Sequence, residues 1–146
     1  MAKVKFDLKD NRAEVYQSLD NAIEIFLNEA CGELQGQIVR NTRVDTGQLK
    51  ASWQYVIEDN IGYVGSELEN AIWEEFGTGI HAEVVDGYGT GVGRKGGWFY
   101  WDYDNGWKLR FTYGKKRNPK GLLYTFKSMR NKLMKRAEEI MQEEME

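Results

Sequence analysis

Few side chains in this sequence are of a kind that could carry chemistry, and their spacing decides what each could do. There is one histidine, His81, and one cysteine, Cys31. A disulfide within the chain is therefore impossible. A structural zinc site built from cysteine and histidine, which wants about four ligands, cannot be assembled from one subunit. Any serine or cysteine nucleophile would have to take its base from His81, and His81 stands in a glycine-rich stretch after Gly79-Ile80, where a surface position is the expectation. Ser52 and Ser66 lack a nucleophile-elbow sequence. Cys31 lies on the edge of an apolar helical stripe and reads as core. Asp45-Thr46-Gly47 has the triplet of aspartic proteases, but that chemistry needs two such aspartates sharing a proton, and the trio leads here into helix-like Gln48-Leu49-Lys50. Glu74 and Glu75 are adjacent, so on a helix they point apart and do not form a catalytic pair. Gly91-Val92-Gly93-Arg94-Lys95-Gly96 satisfies G-x-G-x-x-G, yet a strand-like run follows it where a dinucleotide site needs a helix N-terminus, so it reads as a loop.

Charge is the second resource. The net charge is −3, but residues 106–136 carry eleven bases and no acid, which leaves −14 on the rest. A molecule so divided could bind nucleic acid through Lys115-Lys116-Arg117, with Tyr103, Trp107 or Tyr113 stacking on bases. It could equally bind another copy of itself, basic face to acidic face. The acidic total lowers long-range attraction to DNA, so the nucleic-acid reading is the alternative.

The elements that must position these groups follow from periodicity. The 146 residues, 41% apolar and 29% charged, suit one soluble globular domain with its own core. No apolar run is long enough to cross a bilayer. No apolar h-region follows the basic start, so no signal peptide is expected, and the place of synthesis and assembly is expected to be the cytoplasm. Residues 11–41 read as an amphipathic helix, with Val15, Leu19, Ala22, Phe26, Ala30, Leu34 and Ile38 on one stripe and Asp10 or Asn11 as cap. Residues 51–57 read as a strand, Asp59–Gly62 as a turn, and Tyr63–Ser66 as its hairpin partner. Asn70–Phe76 reads as one or two helical turns closed by Gly77 in a left-handed cap. Residues 80–97 form a flexible glycine-rich loop. Asn105-Gly106 between aromatic runs predicts a hairpin over 98–113. A second long helix runs from about Lys120 to Glu143 with Leu122, Phe126, Met129, Leu133, Ala137 and Ile140 as its stripe, and residues 141–146 form an acidic, frayed tail. The fold class is α+β: two long helices packed on a small antiparallel sheet, with a core over about residues 10–140.

Three segments together resemble the neck, or head–tail joining, proteins of tailed double-stranded-DNA phages, also labelled tail completion or minor capsid proteins. They are Val44-Asp45-Thr46-Gly47-Gln48-Leu49-Lys50-Ala51-Ser52, then Tyr63-Val64-Gly65-Ser66 with Ala71-Ile72-Trp73-Glu74-Glu75-Phe76-Gly77-Thr78-Gly79, and Pro119 ahead of Leu122-Leu123. The family's usual entry to the last helix differs from Asn118-Pro119-Lys120-Gly121, and the aromatic hairpin is larger than the family core. The resemblance implies a structural virion component with no active site and no cofactor. It implies subunits joined head-to-tail into a ring around the DNA channel, with other neck, connector or tail proteins as partners. Asp45, Thr46, Gly47, Glu75, Phe76, Gly77 and Pro119 are then structural motif residues. A closing ring needs two different complementary patches on each subunit. Glu24 and Glu29 on the acidic first helix, and Lys127, Arg130 and Arg136 on the last, are candidates. Trp98, Trp101 and Trp107 are candidate anchors for a neighbouring particle protein; their alternative is sheet core.

Overall fold

The computed structural model describes residues 3, 8–44, 47–90, 98–110 and 114–145. Helix α1 spans Arg12–Asn41 and helix α2 spans Gln48–Ser52. Strands β1 (Gln54–Glu58) and β2 (Ile61–Gly65) follow, then helix α3 (Asn70–Phe76) and one turn of 3-10 helix at Gly79–His81. Strands β3 (Trp98–Asp102) and β4 (Gly106–Arg110) precede helix α4 (Leu122–Met145).

Helix α1 is the spine. Its 30 residues correspond to about 45 Å at 1.5 Å per residue. Ala22, Ala30, Cys31, Leu34 and Ile38 are buried along it, as the stripe requires, whereas Val15 lies beyond the packed region and stays exposed. Asp10 serves the helix start: its carboxylate accepts the Arg12 backbone N–H at 3.2 Å, while the Asn11 side chain makes no cap. The core burial of Cys31 agrees with its place on the stripe, and that burial pushes its thiol pKa up.

Helix α4 packs antiparallel to α1, and this is the most extensive contact in the fold. The direction is visible in three cross-links. Asn41 donates to the Thr125 hydroxyl at 2.9 Å, Lys132 pairs with Glu33 at 3.2 Å, and Arg136 meets Glu29 through Nε at 2.8 Å and Nη2 at 3.1 Å. Between them, Leu133 packs on Ala30 and Leu34, with Phe26, Val64 and Met129 around it. The helix continues to Met145, past the expected fraying point, and Glu139 and Glu143 lie on the Arg136 guanidinium.

The small sheet expected from the sequence is two separate hairpins. In the first, β1 and β2 pair antiparallel from Gln54↔Gly65 to Glu58↔Ile61. Asp59 and Asn60 both have positive φ, 51° and 61°, the two-residue turn whose twist suits a hairpin. This hairpin lies on α1, and Gly62 is where the backbones come closest. A Cβ there would strike the Cys31 sulfur. Residues 51 and 52 belong to α2 where a strand was expected, and Trp53 caps that helix as a buried residue, its indole N–H donating to Thr42 Oγ1 at 2.8 Å. The second hairpin pairs Trp98↔Arg110 through Asp102↔Gly106 and has no more than slight contact with the helices or with the first hairpin. A lone two-stranded ribbon buries little, and the one held on α1 reaches the core only through the partly buried Val64.

Two outcomes follow. Leu133→Ala should cost about 2–5 kcal/mol in urea unfolding, whereas Leu8→Ala, at a position 94% exposed, should stay within about 0.5 kcal/mol. The Arg136 guanidinium, chiefly by hydrogen bonding, holds the Glu29 carboxyl below its ordinary value of 4.5. A depressed carboxylate pKa gives stability that is complete above the unfolded value and is lost as pH falls through the folded one. Between about pH 5 and pH 3 the wild-type melting temperature should therefore fall more steeply than that of Glu29→Gln, by an amount limited because the pair is partly solvated.

Candidate functional site

Three chain segments meet at α3, where the E-E-F-G-T motif lies. Glu74 and Glu75 point to different partners, as neighbours on a helix must. Glu74 accepts the Arg43 backbone N–H and its Nε, both at 3.1 Å, and Asn118 Nδ2 at 2.9 Å. Glu75 accepts the backbone N–H groups of Leu122 at 2.6 Å and Leu123 at 3.2 Å, the first two of α4. Those groups have no intrahelical partner, and a carboxylate there also suits the helix dipole. Asn118 closes the junction from the other side, donating to the Asn41 carbonyl at 2.8 Å while its backbone N–H donates to the Glu74 carbonyl at 2.8 Å. Pro119 follows it at the surface and forms the turn into α4.

Gly77 ends α3 with a positive φ of +78°, but its ψ of −179° is an extended conformation open chiefly to glycine and not the left-handed cap expected from the sequence. It is enclosed by the carbonyl oxygens of His81 and Lys115 and the amide of Arg117, all within about van der Waals reach of a hypothetical Cβ. Thr78 then donates its amide to the Lys115 carbonyl at 2.9 Å, and its hydroxyl accepts the Lys115 amide at 2.7 Å. Phe76 packs under Gly89, and Lys127 pairs with Asp86, which draws the 83–90 segment onto the body. Gly47 precedes α2 with φ +82°; Asp45 and Thr46 lie outside the described residues, as does the Gly91–Gly96 pattern. His81 sits in the 3-10 turn, and among the described residues no serine, cysteine or carboxylate is hydrogen-bonded to its ring. Ser52 and Ser66 bond to one another at 2.6 Å. No group of three or more metal-ligating side chains occurs among the described residues, and no helix there is long and apolar enough to cross a membrane.

Beside the junction lies a cavity of about 550 Å³ between α1, β2, α3 and α4, walled by Leu34, Ile38, Val64, Ile72, Leu123 and Phe126 among others. The β3–β4 hairpin stands apart from it. Asp102 accepts the amides of Asp104 and Asn105 at 2.9 and 3.1 Å, and Gly106 takes φ +75°, so a three-residue loop closes the ribbon. Cross-strand register puts Phe99, Trp101, Trp107 and Leu109 on one face, and all four are exposed. Trp101 and Trp107 meet edge to face, centroids 5.6 Å apart. The other face carries Tyr100 and Lys108, with Lys108 bonded to Asp102 at 3.1 Å and holding that carboxyl below its ordinary range. These tryptophans are therefore not sheet core. The side chain of Trp98, and residues 111–113, are outside the description.

Of the charged candidates, Glu29 and Arg136 meet each other within the subunit and Lys127 meets Asp86, whereas Glu24 and Arg130 are exposed without an ion pair among the described residues. Sequence reasoning missed Asn118, Thr125 and Arg43. Each is polar and would ordinarily be placed at the surface; only the asparagine before the proline hinted at a fixed turn.

Gly77→Ala should lower the melting temperature by several degrees. Gly87→Ala, also at positive φ but with open space around it, should lose less. Glu75→Ala should destabilise by about 1–2 kcal/mol by loss of the α4 cap, read by urea unfolding.

One family model matches the chain, over residues 6–86, and its description is "Bacteriophage HK97-gp10, putative tail-component". No curated protein and no solved structure matches. The match takes in α1, the first hairpin and the E-E-F-G-T junction and stops before the aromatic hairpin. On that coverage, more than half of its length, the chain belongs to the HK97-gp10-like family of phage tail components.

Proposed function

We propose that this protein is a ring-forming subunit of the neck of a tailed phage, where head and tail join, with a purely structural role. The observation that carries the reading is the aromatic ribbon: four large apolar side chains on one face, all exposed, on an element with no more than slight contact with the helices among the described residues. Contiguous exposed apolar surface of this kind marks a protein contact. Membership of a tail-component family supplies the class of partner, other structural proteins of the particle.

In this reading the subunits join head-to-tail, since a closed ring needs two different patches. Trp101 and Trp107, with Trp98 beside them in sequence, are the anchors. Glu24 and Arg130 are free to serve as charged rim contacts, because Glu29, Lys127 and Arg136 already have partners within the subunit. DNA passes through the lumen without sequence-specific recognition. No catalytic step, metal or cofactor is assigned. Subunits are made and assembled in the host cytoplasm and end in the virion. The nucleic-acid alternative gains no support from the family match.

The test is genetic and microscopic. A phage with this gene inactivated should accumulate DNA-filled heads and separate tails, and the protein should be found by mass spectrometry in wild-type particles. Normal yields of joined, infectious particles from the mutant would overturn the proposal.

A further inference from the structure

The antiparallel packing of α1 on α4 sorts charge by the ends of the molecule. At one end the start of α1 lies beside the finish of α4, and residues 8–24 and 137–145 there hold eight acids and two bases. At the other end the finish of α1 meets the turn before α4. Arg43 donates to the Lys116 carbonyl at 2.9 Å, and Asn118 donates to the Asn41 carbonyl at 2.8 Å. Residues 40–50 and 114–120 hold seven bases and one acid, and Glu74, Glu75 and Glu83 beside them bring the acids to four. The rest of the sequence balances, eleven acids to eleven bases. We infer that the two ends are the halves of one contact: the acidic end of one copy meets the basic end of the next. This rests on the ring reading above and gives it a specific pair of surfaces.

Three observations favour a second copy as the partner. The first is that neither end is neutralised within its own subunit. Glu14, Asp20, Glu24 and Glu138 are exposed and have no ion pair among the described residues. The same holds at the other end for the side chains of Arg40, Lys50, Lys116, Arg117 and Lys120. Along α1, residues 24 and 40 are about 24 Å apart at 1.5 Å per residue, more than twice the ~10 Å screening length at ~0.1 M salt. One end therefore does little to satisfy the other. The second observation is that helix energetics do not account for the placement. The last turn of α4 has no base and carries Glu143 and Glu144, where the helix dipole disfavours an acid; Glu143 reaches back to Arg136 and Glu144 has no ion pair among the described residues.

The third observation is the sign of the whole. A basic end attracts any polyanion, but a chain of net charge −3 is repelled by DNA at long range. The acidic end of a second copy carries the matching charge on a surface present in equal number. Acidic ends repel one another, and so do basic ends, so the contact joins unlike ends. A subunit with one of each adds to the next head-to-tail, the geometry that a closing ring requires.

The experiment uses the full chain and analytical ultracentrifugation over a concentration series. Glu24→Lys/Glu138→Lys weakens the acidic end and Lys116→Glu/Lys120→Glu the basic end. Circular dichroism and melting curves check that each folds like wild type, with Asp20→Lys and Arg40→Gln as replacements for a pair that does not. Each pair should raise the concentration needed for assembly by at least about tenfold. Raising sodium chloride from about 0.05 M to about 0.5 M should do the same to wild type, since screening weakens a charged contact. Mixing the two variants leaves one sound acidic end and one sound basic end, so a 1:1 heterodimer that grows no further is expected. Wild-type assembly indifferent to salt and to both pairs would overturn this contact and leave the ring reading standing. So would a Lys116→Glu/Lys120→Glu chain that assembles normally and loses only affinity for duplex DNA, or a wild type whose growth stops at a dimer. A wild-type chain that remains monomeric at every concentration, alone and with particle components, would overturn both.

Discussion

The fold depends on two adjacent carboxylates aimed in different directions. Glu74 holds the end of α1 through Arg43 and the turn before α4 through Asn118, and Glu75 holds the first free amides of α4. Helix α3 is only two turns long and would not be stable alone. It is held because it satisfies the part-buried first amides of α4, which have no intrahelical partner, and it also binds the exposed Arg43 guanidinium. In return, α3 fixes where α4 begins, and from that point the α1–α4 packing has one register: Asn41 on Thr125, Glu33 on Lys132, Glu29 on Arg136.

This arrangement explains why the Glu74–Thr78 stretch is compact and conformationally demanding. Two acids, an aromatic, a positive-φ glycine and a threonine occupy consecutive positions and among them reach the residues after α1 and the pre-α4 turn, the α4 start, the Gly89 loop, and the 115–117 segment, which Gly77 and Thr78 share. The motif is a joint between these segments. The body it makes is rigid and largely self-satisfied; every buried side-chain polar atom among the described residues has a partner. The aromatic ribbon is the opposite. Its internal order comes from Asp102, the Gly106 turn and the paired indoles, and its apolar face is exposed.

Charge was the more deceptive signal. A basic third opposite an acidic remainder suggested two intermolecular patches, and the folded chain brings part of them together inside one subunit, Arg136 with Glu29, Glu139 and Glu143. Linear charge blocks report how much complementarity a chain possesses. They do not report whether it is satisfied within the molecule or between molecules, because that depends on which helices pack and in which direction.

The sequence by itself determined the elements. Both long helices, the two hairpins, the end of α3 at a positive-φ Gly77 and the core place of Cys31 were legible because they depend on local rules: 3.6-residue and two-residue periodicity, positive-φ turns, and the low cost of positive φ at glycine. The stretch at Ala51–Ser52 was misread because a five-residue helix running into a strand shows too few residues for either period to stand out. Only the tertiary structure decided that the strands form two ribbons and not one sheet, that Trp53 is core while Trp101 and Trp107 are surface, and that Asn118 and Thr125 are buried hydrogen-bonding posts. Burial is a property of what lies across the chain fold from a residue, often tens of positions away, and an indole or an amide carries no local mark of which neighbour it will meet.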